Sequence, residues 1–127
     1  TKPNYVTRKK LTGEIIHLKY SDKTTKDLHG KIILIENADP GYDWIFTKNP
    51  SGLITKYGGV ASHMSIRCAE MGLPAAIGCG EVLFDKLLFS SKIQLDCYNK
   101  QIFILEHSIV DEDIEARKVL RSLGYIR

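Results

Sequence analysis

The sequence lacks the features that mark several large classes of protein. Its three cysteines, Cys68, Cys79 and Cys97, are an odd number with no Cys-x-x-Cys pair, which argues against a disulfide scaffold. No His or Cys pair has the spacing of zinc ligands, so we expect no metal site. No apolar run approaches the roughly 18–20 residues of a membrane-spanning helix. The N-terminus has no apolar signal region, and we therefore expect a cytoplasmic protein with buried thiols.

The sequence also lacks a large excess of charge of one sign. The 18 basic and 15 acidic residues leave a net charge of +3, and the early basic residues are not interleaved with aromatic ones. This pattern favours a solvated surface over a nucleic-acid interface, so we expect neither nucleic-acid nor membrane binding. The chain has 127 residues, of which 43% are hydrophobic and 26% charged. That length and composition predict a globular domain with one core.

Apolar runs and turn residues indicate alternating strands and helices. Strands are predicted over residues 14–20, 31–36, 52–55 and 74–78, followed by a hairpin of residues 92–98 and 101–106. Asp39 and Pro40 predict the start of a short helix, in which Trp44 is interpreted as a packing residue rather than a partner-facing one. Ser62 is expected to cap a helix that ends near Met71, and a final helix is predicted over residues 111–123. The alternation favours an α/β domain.

The chemistry-bearing stretch follows the third predicted strand. It has a glycine pair, Gly58-Gly59, then Ser62, then His63 in the first turn of a helix. Glycines permit unusual backbone torsions and close approach of another surface. A helix N-terminus stabilises anions, and a neutral imidazole can accept and pass on a phosphoryl group. On these grounds alone His63 is either a phosphoryl carrier or an ordinary capping or packed histidine.

Arg67 and Glu70 share a helix face with His63. Arg67 could reach a phosphate on His63 with Glu70 orienting it, or the pair could belong to an exposed, salt-bridged face. Two further patterns are set aside. Gly78-Cys79-Gly80 resembles a dinucleotide loop but has Leu83 where the third glycine belongs, so a strand end with tight turns is preferred. Ser62 and His63 are adjacent on a helix and cannot form a hydrolase pair.

The sequence resembles the mobile phosphohistidine domain of phosphoenolpyruvate synthase and pyruvate phosphate dikinase, which also occurs in enzyme I of the sugar phosphotransferase system and in rifampin phosphotransferase. Two runs carry most of the resemblance: Gly58-Gly59-Val60-Ala61-Ser62-His63 and Gly72-Leu73-Pro74-Ala75-Ala76-Ile77-Gly78. Upstream it includes Gly30-Lys31-Ile32-Ile33-Leu34, Asp39-Pro40-Gly41 and Gly52-Leu53-Ile54-Thr55, and downstream the final hairpin.

The resemblance implies a three-layer β/β/α swivelling fold over residues 28–105, preceded by a linker or strand (residues 1–27) and followed by a C-terminal helix (residues 106–127). It implies that His63 is transiently phosphorylated, with Gly58, Gly59, Ser62 and Arg67 supporting the phosphate. This domain would bind no cofactor itself. ATP and Mg²⁺ would be bound by an ATP-grasp-like nucleotide-binding domain, and an acceptor-substrate domain of the same longer chain would receive the phosphate. The carrier would be inactive in isolation.

Two positions depart from the family pattern. Ala61 stands where many members have a threonine, which in some dikinases is a regulatory phosphorylation site. Arg67 and Ala69 reverse the usual small residue and arginine. Two alternatives to a carrier within a phosphotransferase stay open: a non-catalytic interaction module that keeps the fold, and a free-standing phosphocarrier served by separate enzymes. The retained Ser62-His63 and Gly58-Gly59 pairs favour a carrier over a degenerate module.

Overall fold

The computed structural model describes residues 2–19 and 27–108. Within these ranges the strands are β1 (Asn4–Val6), β2 (Lys10–His17), β3 (Ile32–Asn37), β4 (Gly52–Tyr57), β5 (Ala75–Ile77), β6 (Ser90–Asp96) and β7 (Gln101–His107). The helices are a 3₁₀ helix (Pro40–Lys48), α1 (His63–Met71) and α2 (Gly80–Leu88). The predicted C-terminal helix, residues 111–123, lies outside the described residues. No helix in the described part of the chain is long and apolar enough to span a membrane.

The seven strands form one mixed sheet in the order β1-β5-β4-β3-β2-β6-β7. The four strands from β2 to β5 run parallel to one another, while β1, β6 and β7 are antiparallel to their neighbours. Strand β2 serves both halves of the sheet, because residues 15–17 pair with β3 and residues 10–14 pair with β6. The predicted α/β class is therefore confirmed, with a sheet that curls along β2.

Both faces of the central strands are covered, so their residues read as continuous apolar runs. On β3, Ile33 and Ile35 pack with the 3₁₀ helix and α1 in one cluster. The alternate residues, Ile32 and Leu34, pack with α2 and β6 in a second cluster on the opposite face. The helices that bear the candidate site are thus held on one face of the sheet.

The structure adds two elements that the sequence did not predict. Strand β1 is only three residues long, and α2 begins after Cys79 without a side-chain cap, so neither carries a strong start signal. Strand β2 begins at Lys10, four residues earlier than predicted. Because β1 and β2 both belong to the sheet, residues 4–17 are structurally continuous with the rest, and the boundaries at residues 27 and 105 stay predictions.

The two helices on the site face begin as predicted. Asp39 caps the 3₁₀ helix by accepting a 2.7 Å hydrogen bond from the Gly41 amide. Ser62 caps α1 by accepting a 3.3 Å hydrogen bond from the Ser65 amide, and Gly72 ends it in the left-handed conformation. Trp44 packs partly buried against the core cluster, which confirms its packing role.

The turn from β4 into α1 is fixed by a close backbone crossing. Gly58 has φ +135°, and a Cβ there would lie 2.6 Å from the Ala38 Cβ. Gly78, also at positive φ, lies so near the Gly58 carbonyl that a side chain would collide with it. The buried Thr55 hydroxyl bridges the crossing, because it accepts a 2.9 Å hydrogen bond from the Gly78 amide and donates one of 2.9 Å to the Tyr57 carbonyl.

The two turn glycines differ in what they require. Gly59 has no φ in the left-handed region, and no atom would lie within 4 Å of a Cβ added there. An expectation of backbone strain at Gly59 is therefore wrong, and the steric requirement belongs to Gly58. Any role of Gly59 must come from the approach of another surface.

Replacing Thr55 by Val keeps the side-chain shape but removes the bridging hydroxyl. Because the Gly78 amide would lose its partner in a buried place, we expect Thr55→Val to lower the free energy of unfolding by about 1–3 kcal/mol. Thr55→Ser keeps the hydroxyl and loses a methyl group, at about 0.8 kcal/mol. Denaturant unfolding of both variants checks this. If Thr55→Val were as stable as Thr55→Ser, the bridge would not matter.

A matched pair of substitutions tests the turn. We expect Gly58→Ala to lower the free energy of unfolding by about 2–4 kcal/mol, because a side chain there meets both an unfavourable φ and the Ala38 methyl group. Gly59→Ala should change it by about 0.5 kcal/mol or less. Thermal or denaturant unfolding measures both. Equal effects at the two positions would contradict the geometry.

Candidate functional site

His63 is the first residue of α1 and stands at the surface. The cap at Ser62 starts the helix in a register that turns Met64, Ser65 and Cys68 into the core. His63 and Arg67, one turn apart, consequently lie on the outer side, where the His63 side chain is 40% exposed. A capped helix thus presents this imidazole to solvent, instead of packing it in the core.

The carboxylate of Asp43 lies directly against the imidazole. Its Oδ1 is 2.8 Å from Nε2 of His63, and the same oxygen accepts a 3.1 Å hydrogen bond from Nε of Arg67. The Asp43 side chain is 46% exposed. One carboxylate oxygen therefore joins the 3₁₀ helix to two successive turns of α1.

Arg67 is held from three sides. Besides Asp43 it contacts Glu70 through a 3.3 Å hydrogen bond, and its guanidinium lies 5.1 Å from the centre of the Phe46 ring. The predicted contact between Arg67 and Glu70 is thus present. Arg67 connects to His63 through Asp43, so the salt bridges of this helix face extend to the 3₁₀ helix.

The electrostatics of the cluster keep Asp43 ionised. The hydrogen bond from His63 is the main reason that the pKa of Asp43 lies below its usual value, and the bond from Arg67 adds to it, while partial desolvation opposes both. Conversely, the bond to Asp43, followed by the one to Glu70, raises the pKa of Arg67. The site therefore combines one cation, two carboxylates and a histidine.

Of the residues singled out in the sequence, the structure brings His63 and Arg67 together around Asp43, which the sequence analysis did not single out. Ser62 caps the helix, and Gly58 and Gly59 lie in the turn before it. Tyr42 and Ile45, close to Asp43 in the 3₁₀ helix, are apolar residues with the pattern of a packing face, and both are buried. An acidic residue beside buried apolar residues must point away from the core, and this was the sequence signal that could have indicated Asp43. Nothing in the sequence indicated that α1, twenty residues later, would meet it there.

The three cysteines pack in the interior of the domain. All three cysteines are buried, as predicted. Burial raises the pKa of Cys68 to about 12 and those of Cys79 and Cys97 to about 11, so their thiols stay protonated near neutral pH. In the described ranges no three His, Cys, Asp or Glu side chains come together as metal ligands.

Comparison with known protein families gives a match to this part of the chain. The family described as "PEP-utilising enzyme, mobile domain" matches residues 28–100, more than half of the chain. This segment contains the 3₁₀ helix, the glycine turn and α1, and thus the whole Asp43–His63–Arg67 cluster.

Among curated proteins, the similar ones are phosphoenolpyruvate synthases. The one from Escherichia coli is 35% identical over 105 residues, which cover 75% of this chain and 13% of that protein. The one from Synechocystis is 36% identical over 52 residues, which cover 41% of this chain and 6% of that protein. The one from Aquifex aeolicus is 26% identical over 86 residues, which cover 68% of this chain and 10% of that protein. The chain thus spans a small part of the length of these relatives.

Two solved structures share the fold. One is a UPF0107 protein, with a TM-score of 0.60 and 13% identity. The match covers 84% of this chain and 98% of the UPF0107 chain. Thermococcus kodakaraensis aconitase X in its holo-form has a TM-score of 0.57 and 16% identity, over 83% of this chain and 97% of its own. At these identities the likeness concerns the fold alone. With the family match over residues 28–100, the chain belongs to the family of PEP-utilising enzyme mobile domains.

Proposed function

We propose that this protein is a phosphoryl carrier in which His63 takes a phosphoryl group from a donor and passes it to an acceptor. The observation that carries the proposal is the exposed imidazole at the first position of α1, held by Asp43 beside Arg67 inside the segment that matches the family. A packed or merely capping histidine would not need a charged cluster at the surface.

The chemistry suits an imidazole. A ring nitrogen with a free lone pair forms the N–P bond, while the P–O bond of the donor breaks and its electrons leave with the donor oxygen. Arg67 supplies a fixed positive charge for the phosphoryl oxygens, and the N-terminus of α1 adds a partial one. Gly58 permits the backbone crossing before α1, and Gly59 leaves open space in the same turn. Ser62 contributes by capping the helix that presents the ring.

The carrier is proposed to move as a rigid β/β/α body between its donor and acceptor sites. Rigidity is supported by the two apolar clusters, which cover both faces of the central strands. Such a body can carry His63 from one active site to another without changing its own packing. The groups that act on the donor and the acceptor would lie outside the residues described. They would include a nucleotide-binding domain that holds ATP and Mg²⁺.

We favour a carrier that acts as an independent unit over one tied to a single large enzyme. The UPF0107 and aconitase X chains are matched along 98% and 97% of their lengths, so chains of this fold exist without large flanking domains. A free-standing carrier would meet its phosphorylating and accepting enzymes as separate proteins. The matched segments of the phosphoenolpyruvate synthases supply the other arrangement, a carrier inside a longer chain.

A non-catalytic interaction module is the competing proposal. The fold alone does not imply phosphoryl transfer, since one fold serves unrelated functions. The module would use the surface around α1 for contact and would have no need of a carboxylate paired with both His63 and Arg67. Phosphorylation of His63 is the property that separates the two.

The first test is the phosphorylation of His63. We expect an acid-labile phosphoryl group on His63 after incubation of the native protein with a phosphoenolpyruvate synthase and either ATP with Mg²⁺ or phosphoenolpyruvate, detected by intact-mass and fragment-ion spectrometry. His63→Gln should lose the label and stay folded, because an exposed site carries only about 0.5 kcal/mol. His29→Gln, at another exposed histidine, should keep it. A folded protein that takes no label from either donor would favour the interaction module.

A second test concerns independence. A phosphoenolpyruvate synthase whose own carrier histidine is replaced should regain phosphoryl transfer when this chain is added as a separate protein. The gain should depend on His63 and vanish with His63→Gln. Labelling that occurs only when this chain is fused within the enzyme would contradict a free-standing carrier and support the multidomain arrangement.

A further inference from the structure

The side chain of Asp43 occupies the position that a phosphoryl group on Nε2 of His63 would need. Its Oδ1 lies 2.8 Å from Nε2 and 3.1 Å from Nε of Arg67. The two nitrogens are therefore separated by a single oxygen atom. Any anion bound to Nε2 must compete with this carboxylate for both the ring and the guanidinium.

The contact also determines which ring nitrogen carries the proton. An ionised carboxylate only accepts hydrogen bonds, so Nε2 must donate to Asp43. The lowered pKa of Asp43, caused first by the bond from His63, agrees with an ionised acceptor. While the contact lasts, Nε2 has no lone pair to offer to phosphorus.

The positive charge of the cluster lies on the Nε2 side of the ring. Arg67 is fixed there by its bond to Glu70 and its position over Phe46, both of which remain if Asp43 moves away. A phosphoryl group on Nε2 would thus find the guanidinium already oriented. The same group on Nδ1 would leave Arg67 with Asp43.

We propose that Asp43 is a positioning residue that holds unphosphorylated His63 by Nε2 and is displaced by the phosphoryl group, which then takes over both Nε2 and Arg67. This inference rests on the carrier function proposed above. It goes beyond that function by assigning two states to the site: carboxylate bound before phosphorylation, and phosphoryl bound after it.

His63 leaves Asp43, the Nε2 proton passes to water, and water protonates Nδ1. Nε2 then forms the N–P bond, while the bond from phosphorus to the donor atom breaks and its electrons leave with that atom. Asp43 and the phosphoryl group are both anions, so they repel each other at contact distance. Asp43 thereby disfavours the phosphorylated state and favours release of the group to an acceptor.

The experiment measures the phosphoryl-transfer equilibrium between His63 and free imidazole, with N-phosphoimidazole as the probe and phosphorus NMR as the readout. Asp43→Asn keeps the shape and removes the charge. We expect it to raise the equilibrium constant for phosphorylation about fivefold, the factor for one like charge near contact in a solvated site. Asp85→Asn removes a carboxylate from α2, which packs on the opposite face of the sheet, and should leave the constant unchanged.

A measurement on the unchanged protein accompanies it. Nitrogen NMR should find neutral His63 protonated on Nε2 before phosphorylation and phosphorylated on Nε2 afterwards, with the Arg67 Nε–H signal shifted. An Nδ1–H resting tautomer, a phosphoryl group on Nδ1, or an unchanged or lower constant in folded Asp43→Asn would overturn the inference. The carrier function is judged separately by enzymatic labelling of His63, so it can stand when the role of Asp43 fails.

Discussion

The candidate site depends on the crossing of two backbone turns at Gly58 and Gly78. The turn after β4 can pass this close to the turn after β5 only because neither residue has a side chain, and the Thr55 hydroxyl satisfies the polar groups at the crossing. The chain leaves the crossing through Gly59, and Ser62 then starts α1 with His63 at its first position. The strand, the turn and the cap therefore determine where the imidazole stands, and few of the residues involved touch it.

A second connection joins the 3₁₀ helix to α1. Both helices pack on the same face of the sheet through apolar residues, which brings them together without specifying any chemistry. The chemistry comes from the residues that point away from that core: Asp43 from one helix, and His63 and Arg67 from the other. Because the core holds both helices in place without these polar contacts, Asp43 can lose its contact with the His63 ring while neither helix moves. This separation of support from function suits a site that alternates between two charge states.

The sequence predicted the elements whose signals lie within a few residues of one another, and it missed those that depend on contacts between distant parts of the chain. The caps at Asp39 and Ser62 act within three residues, and both were predicted correctly. Helix α2 has no capping side chain, and β1 is held by pairing with β5, about seventy residues away, so local patterns missed both. Asp43 was missed for the same reason, because its partner His63 is twenty residues later in the chain. Gly58 and Gly59 look equivalent in sequence, and the φ of Gly58 and its neighbours Ala38 and Gly78 distinguish them.

For function, too, the overall fold and the local arrangement of side chains carry different information. The fold is shared with a UPF0107 protein and aconitase X at 13% and 16% identity, so the arrangement of strands and helices does not by itself select phosphoryl transfer. What is specific is a titratable ring at an exposed helix start, facing an anion and a cation that share one contact. In a purely structural role, these contacts would tie α1 to the 3₁₀ helix. In the proposed carrier they would also hold the empty site together, and the arginine would pass to the phosphoryl group on its arrival.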